Sequence, residues 1–267
     1  MSTLQALRRA IVHEIKTVRG AIYRRLSSNR RDEAAVVDNF HRLYFDARAF
    51  NMTWRNTYWM GHPVLKCPLD LWHYQEILHE IRPDLIIETG TAFGGSALHM
   101  AHMCDILGHG RIITVDLEPR AGRPEHPRIT YVSGSSVSPE IVAQLTAAAR
   151  QADKVMVILD SDHSKDHVLA ELRALASLVT PGSYLIVEDT NLNGHPVDPS
   201  HGPGPMEALD AFIVERPEFR IDSRWEKFFL SFNPRGYLKR TAMWCGPAFL
   251  GPGLESGALV AKMAELL

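Results

Sequence analysis

The sequence predicts an α/β protein built on a doubly wound, mostly parallel sheet of seven strands. Two observations lead to this prediction. Short apolar runs alternate with amphipathic segments from about residue 83 onward, and a glycine-rich turn follows the first of these runs. Such alternation places helices on both faces of a parallel sheet. Because ligands bind beyond the carboxyl ends of the strands in such a sheet, the polar residues at those ends are the candidate functional residues.

Residues 1–40 are predicted to form a basic, amphipathic helical extension before the main domain. Apolar residues recur at helical spacing from Leu4 to Ile22, and eight arginines and lysines lie within residues 1–31. Such a helix can pack on the protein's own core, on a second subunit or on an anionic membrane surface. We favour packing and expect a homo-oligomer, with peripheral membrane contact through residues 1–31 as the alternative.

The main domain is predicted over residues 41–240, followed by a tail at 241–267. Its first part, residues 33–80, is expected to be helical with an irregular, aromatic insertion. Strands are expected at 84–88, 111–116, 129–133, 155–160, 183–189, 218–223 and 229–239. Helices are expected at 95–107, 139–151, 165–178 and 205–216, two of which open with a proline, as first helical turns often do. The last two strands are expected to close the sheet with an antiparallel edge.

Composition and charge exclude several classes of function. A formal net charge of −2 gives no indication of a nucleic-acid partner. The sequence contains no run of about 18 apolar residues that could span a membrane, and its amino terminus lacks the apolar core of a secretory signal. A cytoplasmic location is therefore expected. The cysteines Cys67, Cys104 and Cys245 lie far apart and are expected to be reduced.

The glycine turn at residues 90–95 is the candidate cofactor site. Glycines there allow a tight turn and a close approach of the backbone to a ligand. Asp116 ends the second strand, where an acidic side chain typically binds the ribose hydroxyls of a nucleoside. Glu88 ends the first strand, where a carboxylate can bind a cationic amino group. Because a carboxylate repels a pyrophosphate, the pattern favours S-adenosylmethionine over NAD. The candidate cofactor-binding residues are Glu88, Gly90, Thr91, Ser96, Asp116, Ser135, Ser136 and Asp160.

Asp160 and two further carboxylates, Glu188 and Asp189, end two strands that are predicted to be neighbours. Clustered carboxylates repel one another unless a cation neutralises them. Their oxygens suit Mg²⁺ or another hard divalent cation. His163 follows the first of these acids and is the favoured general base, while Lys165 is the rival base if the metal and burial lower its pKa.

These segments together resemble the cephalosporin hydroxylase and rhamnosyl O-methyltransferase family of actinobacteria. The resemblance covers about residues 40–240 and rests on residues 57–61, 72–77, 88–90 with 94–96, 159–164, 187–191 with 193–196, 202–205, 227–228 and 234–238. It implies a class I methyltransferase (Rossmann-like) fold that uses S-adenosylmethionine and a divalent cation. The more distant catechol enzymes pair an acid with an amide where this chain has Glu188 and Asp189. The family pattern keeps the histidine rather than the lysine, which supports His163 as the base.

O-Methylation of a sugar hydroxyl is the leading functional hypothesis, on a glycolipid, an oligosaccharide or polysaccharide, or a glycosylated natural product. The cation would hold two neighbouring acceptor oxygens and lower the pKa of one. Tyr58, Trp59 and His195 are the candidate acceptor contacts. The alternative is an iron-dependent oxygenase, whose usual site has two histidines and one carboxylate. A non-catalytic glycan-binding or membrane-docking protein is a third hypothesis, which the complete set of strand-end residues disfavours.

Overall fold

The computed structural model describes residues 30–241 of the 267-residue chain. Residues 1–29 of the predicted basic extension and the tail after residue 241, with Cys245, lie outside the described residues. Cys67 and Cys104 are buried free cysteines. The first described helix, α1 (Arg30–Phe45), runs across the predicted domain boundary at residue 40. Two short 3₁₀ turns follow, Arg48–Phe50 and Thr53–Asn56, and then a hairpin of β1 (Tyr58–Trp59) and β2 (His62–Pro63).

A seven-stranded sheet forms the centre of the fold, as predicted. Its strands are β3 (Leu85–Thr89), β4 (Arg111–Asp116), β5 (Ile129–Ser133), β6 (Val155–Leu159), β7 (Tyr184–Val187), β8 (Phe219–Ile221) and β9 (Tyr237–Arg240). They are arranged in the order β5-β4-β3-β6-β7-β9-β8. All pairs among the first five strands are parallel. The strand order reverses between β3 and β6, which is where an open α/β sheet forms its ligand crevice.

Helices cover both faces of this sheet. They are α2 (Pro68–Ile81), α3 (Gly95–Leu107), α4 (Pro139–Ala149), α5 (Lys165–Leu175) and α6 (Pro205–Glu215). Alternate strand residues face two apolar cores: Leu85 and Ile87 belong to the core with α4, α5 and α6, whereas Ile86 belongs to the core with α2 and α3. The predicted doubly wound fold is thereby confirmed. Among the described residues, no helix has the length and apolar character needed to cross a bilayer.

The last two strands differ from their predicted positions. The antiparallel strand β9 lies between β7 and β8, so the edge strand on this side is β8. Residues 229–232, predicted as strand, form a loop instead, and a turn at residues 233–236 leads into β9. The N–H of Phe232 donates to Asp70 Oδ2 at 2.8 Å, and Asn233 Oδ1 accepts from the N–H of Asp189 at 3.1 Å. Polar groups of the loop are thus bonded to the interior and do not take part in a strand ladder.

Candidate active site

A cavity of about 750 Å³ opens beyond the carboxyl ends of the parallel strands. Small-molecule sites usually enclose about 300–1,000 Å³, so this volume suits a cofactor with part of an acceptor. The loop that follows β2 and the segment before the sheet form its rim. The predicted site residues that line it are Gly90, Thr91, Ser96, Asp116, Ser135, Ser136, Asp160, His163 and Asp189.

The turn after β3 lies so close to the end of β6 that residue 90 must be glycine. Gly90 has a φ of +85°, and a Cβ atom there would lie 1.7 Å from the backbone oxygen of Asp160. Both the backbone conformation and the lack of space exclude a side chain. Thr91 Oγ1 and Thr114 Oγ1 share a hydrogen bond of 2.7 Å that anchors the turn to β4. The glycine turn and Asp160 are therefore fixed relative to each other.

Asp116 ends β4 and lines the cavity beside this turn. Its Oδ2 accepts hydrogen bonds from the N–H of Ala92 at 3.0 Å and from Arg123 at 2.6 Å. Its Oδ1 has no protein partner among the described residues. One oxygen thus fixes the orientation of the carboxylate, and the other is available to accept from a ligand hydroxyl.

Glu88 does not line the cavity. Its side chain is fully buried, and its two oxygens accept hydrogen bonds from Ser96 at 2.5 Å and Thr114 at 2.7 Å. Burial raises the pKa of Glu88, although Lys66 and the two hydroxyls oppose this shift. Glu88 therefore lies directly behind Ser96, and Ser96 is the residue that lines the cavity.

Asp160, His163 and Asp189 form a compact cluster in the cavity wall. Each offers one ligand atom, and these atoms lie within 4.8 Å of one another. His163 Nε2 is 3.3 Å from Asp189 Oδ2. The strands β6 and β7 end earlier than predicted, so both acids belong to the loops that follow them. Two carboxylates and an imidazole are a donor set that fits a divalent cation.

Glu188 is not part of this cluster, and a buried lysine joins it to Asp160. Lys66 is 3% exposed and donates to Asp160 Oδ2 and Glu188 Oε1, at 2.5 Å in each case. Tyr74 also donates to Glu188 Oε1. Burial alone would lower the pKa of Lys66, but the two carboxylates outweigh it and raise the pKa well above its usual range. The predicted metal set is therefore divided: Asp160 and Asp189 share the cluster, and Glu188 is held by Lys66.

The two predicted bases occupy different places. Burial alone would lower the pKa of His163, but the three nearby carboxylates outweigh it and raise the pKa. Lys165 is the first residue of α5 and does not line the cavity. Of the two, only His163 belongs to the carboxylate cluster.

The structure does not bring the three predicted acceptor residues to the cavity. Tyr58 is 58% exposed on the hairpin. The indole N–H of Trp59 donates to His102 Nδ1 at 2.9 Å, and His195 Nε2 lies 2.8 Å from Glu207 Oε1. None of the three lines the cavity. Tyr58 and Trp59 are predicted from residue type and His195 from its place on the loop after the fifth strand, and neither criterion reveals which way a side chain faces.

An apolar wall closes the cavity on the side of α1. Its members come from α1, from the second 3₁₀ turn and from the loops after β7 and before β9, and they are Phe45, Trp54, Leu192 and Phe232. The rings of Phe45 and Trp54 stack with centroids 5.8 Å apart, and Phe232 meets Phe45 edge-on at 5.6 Å. Because the N–H of Phe232 is bound by buried Asp70, this aromatic wall has a fixed position.

Comparisons with known proteins agree with the resemblance stated from the sequence. A family model described as rhamnosyl O-methyltransferase/CmcI matches residues 51–241. A rhamnosyl O-methyltransferase from Mycobacterium tuberculosis is 42% identical over 219 residues, which cover 79% of this chain and 87% of that protein.

Two solved structures of CmcI have the same fold. An apo structure is 26% identical with a TM-score of 0.55 and covers 70% of this chain and 77% of that one. A structure described as containing Mg and SAM is 24% identical with a TM-score of 0.56 and covers 70% of this chain and 78% of that one. The matched segment of the family model includes every strand of the central sheet and every residue that lines the cavity except Phe45. The chain therefore belongs to the rhamnosyl O-methyltransferase/CmcI family.

Proposed function

We propose that the protein transfers a methyl group from S-adenosylmethionine to a sugar hydroxyl with the help of a divalent cation. The observation that carries this proposal is one cavity that joins the turn at Gly90 and Asp116 to the cluster of Asp160, His163 and Asp189. The 42% identical relative is named a rhamnosyl O-methyltransferase, and a CmcI structure of this fold is described with Mg and SAM. Together they favour a rhamnose unit among the predicted acceptors.

The residues after β3 and β4 would hold the cofactor, which supplies the methyl group. Asp116 Oδ1 would accept from the ribose. Because the Ser96 hydroxyl gives its proton to Glu88, its oxygen can only accept, and it would bind the cationic amino group of the amino-acid moiety. The buried charge of Glu88 would act behind it on the same amino group. Glu88 would thus fulfil the predicted role through Ser96 rather than by direct contact.

Asp160 and Asp189 would hold the cation, Mg²⁺ or a similar hard ion. When bound, this ion would lower the pKa of an acceptor hydroxyl and offset the field that raises the pKa of His163. His163 would then accept the proton of that hydroxyl. Glu188, the third predicted ligand, would contribute charge to the site while Lys66 and Tyr74 hold its Oε1. Positioning of the two reactants would supply most of the rate gain, up to about 7–11 kcal/mol.

The acceptor would bind against the apolar wall. The stacked rings of Phe45 and Trp54 and the edge of Phe232 offer a surface for the apolar face of a sugar. The iron oxygenase is disfavoured because the cluster has one histidine and two carboxylates, the reverse of the usual oxygenase set.

The experiment is calorimetric titration with S-adenosylhomocysteine, with and without Mg²⁺, followed by mass analysis of a reaction with a rhamnosylated acceptor. We expect micromolar binding to the wild type, loss of binding in Asp116→Ala and no change in Asp153→Ala, which alters an exposed acid remote from the cavity. Addition of a methyl group, abolished by EDTA, is the expected product. Absence of binding in either metal state, or addition of oxygen instead of a methyl group, would disprove the proposal.

A homo-oligomer stays part of the proposal because α1 carries large exposed apolar side chains. Val36, Phe40 and Leu43 are each more than half exposed. The alternative to assembly is peripheral contact of residues 1–31 with a membrane. Sedimentation of the full chain, with and without anionic lipid vesicles, distinguishes assembly from membrane binding.

A further inference from the structure

A buried carboxylate lies behind the cavity wall near the ends of β5 and β6. Glu171, on α5, is fully buried, and its Oε1 accepts hydrogen bonds from Ser136 at 2.5 Å and from Ser161 at 2.8 Å. His167 Nε2 lies 3.5 Å from the same oxygen. The other oxygen, Oε2, has no partner within the described part of the chain. Because an unpaired buried oxygen costs free energy, this carboxylate is poorly explained as a structural clamp.

Glu171 reaches the cavity through Ser136, Ser161 and His167, all of which line it. A serine hydroxyl has a single proton to donate, and an ionised carboxylate can only accept. Ser136 and Ser161 therefore both give their protons to Glu171, which leaves only lone pairs to face a ligand. The two serine oxygens thus form a hydrogen-bond acceptor surface, and Glu171 determines that character. His167 Nε2 lies 3.4 Å from Ser136 Oγ and 3.5 Å from Glu171 Oε1, so this nitrogen faces the same two groups.

Building on the proposed use of S-adenosylmethionine, we propose that Glu171 is a positioning residue that makes the cavity selective for a 6-amino purine. Asp116 places the ribose at the end of β4, so the base lies farther along the cavity. The residues that follow β5 and β6 there are Ser136 and Ser161. A 6-amino group donates hydrogen bonds and therefore matches the hydrogen-bond acceptor surface of the two serines. The oxygen of a 6-oxo purine would face the lone pairs of the serine oxygens. Neither the purine oxygen nor the serine oxygens would then gain a hydrogen bond in the buried site.

The experiment compares S-adenosylhomocysteine with S-inosylhomocysteine, in which an oxygen replaces the 6-amino group, by calorimetric titration. The wild type is expected to bind the adenine compound at least about tenfold more tightly, the effect of one unpaired buried polar group. Glu171→Gln keeps the size of the side chain, but its amide can also donate, so the serine protons can turn towards the cavity. The ratio of the two affinities should then shrink to about threefold or less. Glu140→Gln, the same change at an exposed position of α4, should keep the wild-type ratio.

An unchanged ratio in Glu171→Gln would overturn the proposal even if both affinities fell, because a purely structural carboxylate would weaken both ligands alike. Equal binding of the two compounds by the wild type would overturn it as well. If Glu171→Gln does not fold, Ser136→Ala removes one acceptor and keeps Glu171, and it should also narrow the ratio; an unchanged ratio there counts against the proposal. If the wild type binds neither compound, the proposed function fails, and the role proposed for Glu171 fails with it. This result differs from an unchanged affinity ratio, which overturns the role of Glu171 alone.

Discussion

Replacing Lys66 with methionine tests how the carboxylates of the site are neutralised. Lys66 Nζ lies 2.5 Å from both Asp160 Oδ2 and Glu188 Oε1, and the residue is 3% exposed. Removing one partner of a buried ion pair usually costs about 3–5 kcal/mol, because the remaining charge is left uncompensated. Since two carboxylates lose the same partner here, we expect the free energy of unfolding to fall by at least about 3 kcal/mol in EDTA. This loss corresponds to a fall in Tm of roughly 6–12 °C for a domain of this size.

Added Mg²⁺ is expected to recover part of this loss. A divalent cation would replace the missing positive charge between the carboxylates, so it should stabilise Lys66→Met more than the wild type. If Mg²⁺ raises the free energy of unfolding of Lys66→Met by about 1.4 kcal/mol more than that of the wild type, the variant binds Mg²⁺ tenfold more tightly. Urea unfolding of both proteins, in EDTA and in millimolar Mg²⁺, measures the two quantities.

Lys239→Met is the matched control for this experiment. Lys239 pairs with Glu80 at 3.0 Å, but its side chain is 32% exposed, so its removal should cost at most about 1 kcal/mol with or without Mg²⁺. If Lys66→Met were as stable as Lys239→Met, Lys66 would not be the neutralising charge of the site. Equal stabilisation of the variant and the wild type by Mg²⁺ would refute the expectation that the cation and Lys66 compensate the same carboxylates.

Three other changes test separate parts of the molecule. His163→Ala should lower kcat by about 10²–10⁴, the usual contribution of a general base, and leave the affinity for S-adenosylhomocysteine within about twofold; an unchanged kcat would assign the base elsewhere. Phe232→Leu, which reduces the apolar wall, should raise the KM of the acceptor and spare cofactor affinity, and equal weakening of both would place Phe232 outside the acceptor site. Burial alone would raise the pKa of Glu207, but hydrogen bonds from the N–H of Gly204 and from His195 lower it from 4.5 to about 2. Because the pKa of Glu207 is lower in the folded than in the unfolded protein, its contribution to the free energy of unfolding is present above pH 4.5 and is lost as the pH falls towards 2. Over that pH range, the free energy of unfolding should fall by about 1–2 kcal/mol less in Glu207→Gln than in the wild type. Equal falls in the two proteins would show that Glu207 does not contribute to stability.

The strand ends were predictable because an apolar run followed by an acid is a local feature of the sequence. Asp160 and Asp189 meet because parallel strands end at the same edge of the sheet. The direction of each side chain was harder to predict. The sequence predicts that Glu88 is a strand-end acid facing a ligand, yet its side chain points to the same face as Ile86, towards α2 and α3, because side chains alternate along a strand.

Lys66 and the apolar wall could not be predicted from the sequence because their contacts are long-range. Lys66 and Glu188 are 122 residues apart in the chain, and no local pattern indicates their pairing. The lysine precedes a helix that begins with proline, where a solvated loop lysine is equally common. Phe45 likewise meets Phe232 only in the folded protein.

Two of the four residues of the apolar wall come from a different part of the chain than the methyl-transfer residues. Phe45 and Trp54 precede the sheet, whereas Gly90, Asp116 and Asp160 follow its strands. Under the proposed function, substitutions within residues 42–56 can change which sugar is accepted while the catalytic strand ends stay intact. We therefore expect that exchanging residues 42–56 between relatives would change acceptor preference and leave cofactor binding unchanged.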